Sequence, residues 1–418
     1  MSKPWPAVMT QIEQQYQHWD GAHEGIWRRR YVIARGALEG CLKLKWLQRL
    51  VAGCWLAALG MIILLFFYSQ LVDSTSALAD WMGAEDAQLK MMIFSLELLI
   101  QQNPALAISV PWNLVFGFYA LMLFYPTMLV LTLAVPRIIA TDLSSNAIVV
   151  YASKAVSRWD YLLGKLGAVV GLLLLTWVGP LVFAWLGGNL LAPNWSFFWH
   201  TREALVDSLV FGLAGLGFLA VLALGVSSLS ANGKVVTFAW LALWLLGWGM
   251  EKPAEETHTR WLRHLSFRYN LSQVHTRVFN PRETFTRLDE FRDEDGVESP
   301  LVRPMRMFTR MQNRDLREAH RRARGRFWGE INDKKSAHDE ETERLTEQAE
   351  NPTQADAIRI KREEEWNQIR AERRQMIMRE EEEKILTHRQ RSFGSALFGL
   401  GFLMALSVGV IAQRFRPR

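Results

Sequence analysis

The sequence predicts an all-α polytopic membrane protein interrupted by one long, charged, helical insertion. Three observations carry that prediction. Half of the 418 residues are hydrophobic. Apolar runs long enough to cross a bilayer recur outside residues 251–394. That one block, in contrast, holds 30 basic and 29 acidic residues. A mean hydropathy of +0.01 is therefore the average of two unlike populations.

The charge distribution narrows the function classes. A net charge of +6 is modest, and the block from 251 to 394 contributes almost none of it. The excess sits in short segments flanking the apolar runs: Arg28, Arg29 and Arg30; Lys43, Lys45 and Arg49; Arg414, Arg416 and Arg418. A nucleic-acid binder concentrates basic charge on one surface, so no nucleic-acid partner is expected; flanking charge instead reports topology. Cys41 and Cys54 are the only cysteines, too few and too oddly spaced for a disulfide framework or a zinc ribbon. The first 45 residues are polar and basic, without the early apolar core of a cleavable signal peptide.

The expected spans follow in order. The first covers residues 50–68 and the second 112–135, ending at Pro136-Arg137. The third, 161–186, is interrupted by Gly179-Pro180. The fourth is 209–226, the fifth 235–249 and the sixth 395–412. Residues 91–100 are too short and too polar at their ends to cross, and read as an interfacial or re-entrant helix. The fifth span is the weakest: 15 apolar residues make about 22 Å of helix against about 30 Å of hydrocarbon. Six spans put both termini on one side. Arg137, Lys154, Arg158, Lys165 and Lys234 share that side with the basic N-terminal flank, which makes it cytoplasmic and puts the insertion outside; a fifth span that re-enters without crossing would instead put the insertion in the cytoplasm.

Within the insertion, residues 261–285 space apolar side chains at rough helical intervals, predicting an amphipathic stretch at the membrane surface. A polar turn region follows around Gly296 and Ser299-Pro300. Helices are then predicted over 305–330, loosening near Gly325, and over 354–386, with Asn351-Pro352 as the break between them. Ile358, Trp366, Ile369 and Met376 make only a sparse apolar stripe. One connection of this size lies far outside ordinary loop lengths, which favours a projecting arm that docks an extracytoplasmic or accessory membrane partner or helps form a dimer over a solvated hairpin with no dedicated partner.

Catalytic chemistry is not legible. Ser230-Ala231-Asn232-Gly233-Lys234 ends in Gly-Lys but lacks the glycine-rich loop and strand–helix setting of a phosphate cradle. His258, His264 and His275 are scattered, so no metal site is expected, and no cofactor either. Nothing resembles a nucleophile with its base. The chain is expected to be no enzyme, and any ATP it uses would be bound by a separate subunit.

One segment says more. Residues 142–165 open on Asp142, continue through Ser144-Ser145 and a short amphipathic stretch containing Ile148, Val149, Tyr151 and Ala152, then read Ala155-Val156-Ser157-Arg158 and Gly164-Lys165. This pattern, between the second and third spans, resembles the cytoplasmic coupling region of ABC-2-type exporter permeases. The family form has a Gly-Thr-rich turn and Pro-Val-Ser-Arg, so the match is to a divergent member. The resemblance covers about residues 25–250 and 395–412 and leaves the insertion unmatched.

It implies a six-span permease with an interfacial helix at 26–48, to which Trp27, Tyr31, Leu38, Leu42 and Leu44 would contribute membrane or core contacts. It divides the chain into a cytoplasmic region (1–49), spans one to five (50–249), the insertion (250–394) and the sixth span with its tail (395–418). It further implies a separate ABC ATPase, a second permease copy or homologous permease, and residence among the lipids of a bacterial inner membrane. Ile148, Val149, Tyr151 and Ala152 would dock the ATPase beside Asp142 and Ser157, with Arg158 and Lys165 positioning the loop. The substrate, at most described as amphiphilic, is not legible, and a scaffold whose arm recruits partners without translocation stays open.

Overall fold

A computed structural model of the chain describes residues 25–72, 100, 103–147, 156–249, 264–290, 302–349 and 351–415, and every extended regular element among them is a helix. The expected helix at 91–100 therefore lies outside the described residues save for Ile100, and so does the polar turn region around Gly296. The helices are α1 (Ile26–Leu42), α2 (Lys45–Val72), α3 (Pro104–Ile138), α4 (Ala140–Ser144), α5 (Arg158–Leu190), α6 (Ser196–His200), α7 (Arg202–Ser228) and α8 (Gly233–Gly249). Then come α9 (Phe267–Val278), α10 (Pro281–Asp289), α11 (Val302–Gln312), α12 (Arg314–Glu347) and α13 (Pro352–Arg414).

Five helices are long and apolar enough to cross a membrane: α2, α3 with α4, α5, α7 and the Phe393–Arg414 part of α13. The stretch expected as the fifth span, α8, is apolar but has 17 residues, about 25 Å of helix. The expected interruption in α5 is instead a single π turn over Leu174–Val178, through which the helix continues. Pro180 has no N–H to offer the preceding turn and its ring crowds the carbonyl four residues back. Widening the turn ahead of it removes both conflicts. A Cβ on Gly179 would lie 2.7 Å from the Leu174 carbonyl oxygen, so that turn requires glycine.

Trp177, on the π turn, is the centre of the core. Its indole is fully buried, donates to the Ala120 carbonyl at 3.0 Å, and meets Phe124 and Phe211 edge-on. It reaches that position because Gly215 of α7 leaves room: a Cβ there would come within 2.6 Å of the ring. Gly217, in contrast, faces open space.

Two ends of the bundle can be told apart by what is tied to what. At one end, the Ile139 N–H donates to Ser227 Oγ (2.9 Å), which donates on to the Val135 carbonyl (2.6 Å), joining the ends of α3 and α7. α1 and the last turn of α13 lie at this same end. At the other, Tyr68 donates to the Ala107 carbonyl, and Trp185 Nε1 to the Thr201 carbonyl at 3.1 Å.

The insertion attaches to this second end, and α9 does not lie on a surface as its amphipathic pattern predicts. It is sunk into the bundle, with Phe267, Leu271 and Val274 in the main core. Its polar face is buried too: His275 Nε2 donates to the Gly117 carbonyl of α3 (2.9 Å) and Asn270 Nδ2 to the His264 carbonyl just ahead of α9 (2.7 Å). Gln312 adds a bond to the Leu114 carbonyl at 2.7 Å.

Beyond α11, the helices α12 and α13 run side by side as a projecting hairpin. The helix expected over 305–330 is interrupted at Asn313, and α12 continues through Gly325 and Gly329, where the sequence predicts a loosening. Two glycines in a helix interior cost about 1 kcal/mol each. Burial of Ala323, Phe327 and Ile331 against Ile377 of α13 offsets that cost. Around this small core runs a ladder of ion pairs: Arg373–Glu330 at 2.6 Å, Arg326–Glu380 at 2.8 Å and Arg282–Glu383 at 2.6 Å. α13 passes without a break from the hairpin into its apolar segment.

Acid should loosen the arm. The Arg373 and Arg326 guanidinia hold the Glu330 carboxyl below its usual 4.5. Burial, reinforced by the nearby Arg310, holds the His320 imidazole below its usual 6.5. Both pKa values are depressed on folding, so their contribution is complete above the unfolded values and is lost as pH falls. Far-ultraviolet circular dichroism of the purified chain should be constant above pH 6.5, begin to lose helical signal below it through His320, and lose more below pH 4.5 through Glu330. A signal unchanged over that interval would refute the assignment.

Candidate functional site

The residues singled out at 142–165 converge at the α1 end, together with partners the sequence does not advertise. Ser157 is the N-cap of α5. Its Oγ accepts from the Asp160 N–H at 3.1 Å and donates to Asp160 Oδ2 at 2.6 Å. The other carboxylate oxygen takes Arg30 Nε of α1 at 2.7 Å, and the Arg30 guanidinium lies 4.9 Å from the centroid of the Trp27 ring.

α1 is held along its length by a seam of small residues on α5. Gly164, Gly167 and Gly171 face Ile33, Ala34 and Leu38. The closest approach is at Gly164, where a Cβ would be 2.7 Å from Ile33 and 3.1 Å from the Arg30 carbonyl oxygen. Gly164→Val should therefore lift α1 off α5 at an overpacking cost of about 1–3 kcal/mol. Limited proteolysis in detergent would show faster cleavage within residues 26–42. Cleavage at the wild-type rate would mean that the seam is not what holds the helix.

Deeper, Lys165 Nζ pairs with Asp142 Oδ2 at 2.7 Å, with side chains only 5 % and 16 % exposed. Tyr161 donates to the same carboxylate oxygen at 2.9 Å, and its ring lies under the ammonium at 5.6 Å. The pair ties α4 to α5 across the segment between them. At the rim, Arg158 donates to the Phe415 carbonyl at 2.8 Å, and the Phe415 ring packs 5.9 Å from Tyr161. The end of α13 is thereby attached to the same platform.

Of the site residues read from the sequence, Asp142, Ser157, Arg158 and Lys165 are brought together here. Lys165 faces inward as an ion-pair partner. Ile148, Val149, Tyr151 and Ala152 lie outside the described residues. The α1 residues divide by role: Trp27 and Tyr31 are exposed, whereas Leu38 and Leu42 pack with Leu44 onto Val130, Ala134 and Leu172. Exposed aromatics beside arginines suit a membrane–water interface, and Trp159 and Trp46 at this end are exposed as well.

Sequence reasoning passed over Arg30, Asp160, Tyr161 and Phe415. Ser157 followed three residues later by Asp160 is a helix-start signal that would have marked the pair. Arg30 is hidden inside a run of three arginines that reads as a topology signal, and nothing local points Phe415 at Arg158. Among the described residues no three His, Cys, Asp or Glu side chains gather as metal ligands. No protein-family model matches the chain, and neither a curated protein nor a solved structure does.

Proposed function

We propose that this chain is the membrane subunit of an ATP-driven exporter of the ABC-2 permease type, with the α1 end facing the cytoplasm of a bacterial inner membrane. A separate ATPase would engage the segment after α4, and a second permease copy would complete the pathway. One observation carries the reading. Asp142–Lys165, Arg30–Asp160 and Arg158–Phe415 join the interfacial helix, the segment after the second span, the third span and the last helix at a single place. A push delivered to residues 148–155 would reach all four at once. The basic flanks Arg28, Arg29, Lys43, Lys45, Arg137 and Lys234 belong to the same end, which favours its cytoplasmic placement.

The test is co-purification with the ATPase encoded nearest to the chain, before and after Val149→Glu and Tyr151→Glu. Loss of the complex and of coupled ATP hydrolysis is the expected result. A complex and coupling that survive both changes would remove the docking assignment. Orientation is read separately by thiol labelling of Ser336→Cys and Ser153→Cys; both native cysteines are buried. Ser336→Cys should react from outside, and reaction only after permeabilisation would reverse the topology.

A second reading is a scaffold whose arm recruits partners without translocation. It is favoured by Trp328, Ile360, Ile369 and Met376, which the hairpin leaves exposed. An arm deletion that abolishes partner recruitment, in a chain that binds no ATPase, would favour it.

A further inference from the structure

We propose that the arm end holds a site for the phosphoethanolamine headgroup of a membrane lipid, a reading that does not depend on the exporter assignment. A cavity of about 320 Å³ opens there between α3, α7, α9 and α10. Pockets that take small ligands start at about 300 Å³, so the volume suits a headgroup better than a larger solute. Asn113, Glu203, Asp207, Arg277, Glu283 and Arg287 supply its polar walls.

Two of the three carboxylates are already occupied. Arg287 clasps Glu203 through two bonds, at 2.8 and 3.0 Å, and reaches Glu283 at 2.6 Å. That leaves Asp207 and Arg277. Among the described residues no ion pair is made by Asp207, which has the Asn113 side chain beside it and the Arg287 charge across the cavity, and none by Arg277. Asn113 Oδ1 is itself buried without a hydrogen-bond partner. The cavity therefore presents an unmatched acceptor group and an unmatched guanidinium, with three acidic side chains to two basic ones overall.

Asp207 stands in the second turn of a 27-residue apolar helix, at its cavity end. A part-buried carboxylate at the head of such a helix faces a wet cavity or a partner. A primary ammonium would satisfy both Asp207 and Asn113 Oδ1 through charge-assisted bonds, and a phosphate would pair with Arg277. A soluble amine would meet the first requirement alone. What favours a lipid is the apolar surface along the same helix: Val206, Val210 and Leu213 are each half exposed, leading away from the cavity toward the bilayer interior. Acyl chains can lie there while the headgroup is held above.

The experiment uses the full-length chain, extracted from vesicles of equal phosphatidylethanolamine and phosphatidylglycerol and examined by native mass spectrometry. Phosphatidylethanolamine should be retained preferentially. Asp207→Asn and Arg277→Gln should each reduce its retention about tenfold, the loss expected for one charge-assisted bond. Arg277 is exposed, so its variant keeps the test intact should Asp207→Asn fail to fold. Equal retention of the two lipids, or retention unchanged in Arg277→Gln, would overturn the proposal. So would binding of spermidine to the cavity without preferential retention of the lipid, which would identify a soluble amine as the ligand.

Discussion

Replacing Lys165 by methionine should destabilise the folded chain by about 3–5 kcal/mol, the cost of leaving one member of a buried ion pair uncompensated. Lys165 and Asp142 are both shielded from solvent, and their separation of 2.7 Å leaves no room for water between them. Removing the ammonium strands a carboxylate whose remaining partner is the Tyr161 hydroxyl. The second substitution separates this cause from simple loss of packing. Asp142→Leu combined with Lys165→Met removes both charges, and such double replacements are often neutral or stabilising. Denaturant unfolding in mixed micelles, followed by tryptophan fluorescence, would compare both variants with the unchanged chain. A single-variant loss under 1 kcal/mol, or a double variant as unstable as the single, would count against a buried pair.

Trp177→Ala should cost about 3 kcal/mol, the low end for removing a buried aromatic. The low end applies because lipid solvates an apolar side chain nearly as well as the protein interior does, so the loss is mainly of packing. Trp177→Phe keeps most of the ring contacts with Phe124 and Phe211 but forfeits the bond to the Ala120 carbonyl. Its expected cost is about 1 kcal/mol. The same unfolding measurement decides between them. Equal losses in the two variants would mean that the indole N–H, rather than the volume resting on Gly215, is what the core needs.

The spans were legible because lipid leaves a one-dimensional record: long apolar runs can be counted without knowing their neighbours. α9 shows where that record fails. Asn270, Gln273 and His275 read as a solvent face, yet all three are buried. The partner of His275 is the Gly117 carbonyl, more than a hundred residues away. Gly325 misleads for a related reason, since local propensity cannot see Ile377 packing onto the neighbouring turn. At the candidate site, the residue types at 142–165 identified the region, but the pairing of Asp142 with Lys165 and of Arg30 with Asp160 is set by how α1 and α4 approach α5. The Ser157–Asp160 cap was the one local signal for that geometry.

The unbroken passage of α13 from hairpin to bilayer has a mechanical consequence. Its 63 residues make a rod of about 95 Å, of which roughly two thirds stands clear of the apolar segment. A stiff rod gripped near one end amplifies angular displacement: a 10° tilt at the grip sweeps the free end through about 16 Å at this length. Phe415, at the gripped end, is bonded to Arg158. A shift of that contact too small to disturb the bundle would thus arrive at the far end of the arm as a displacement wider than a helix.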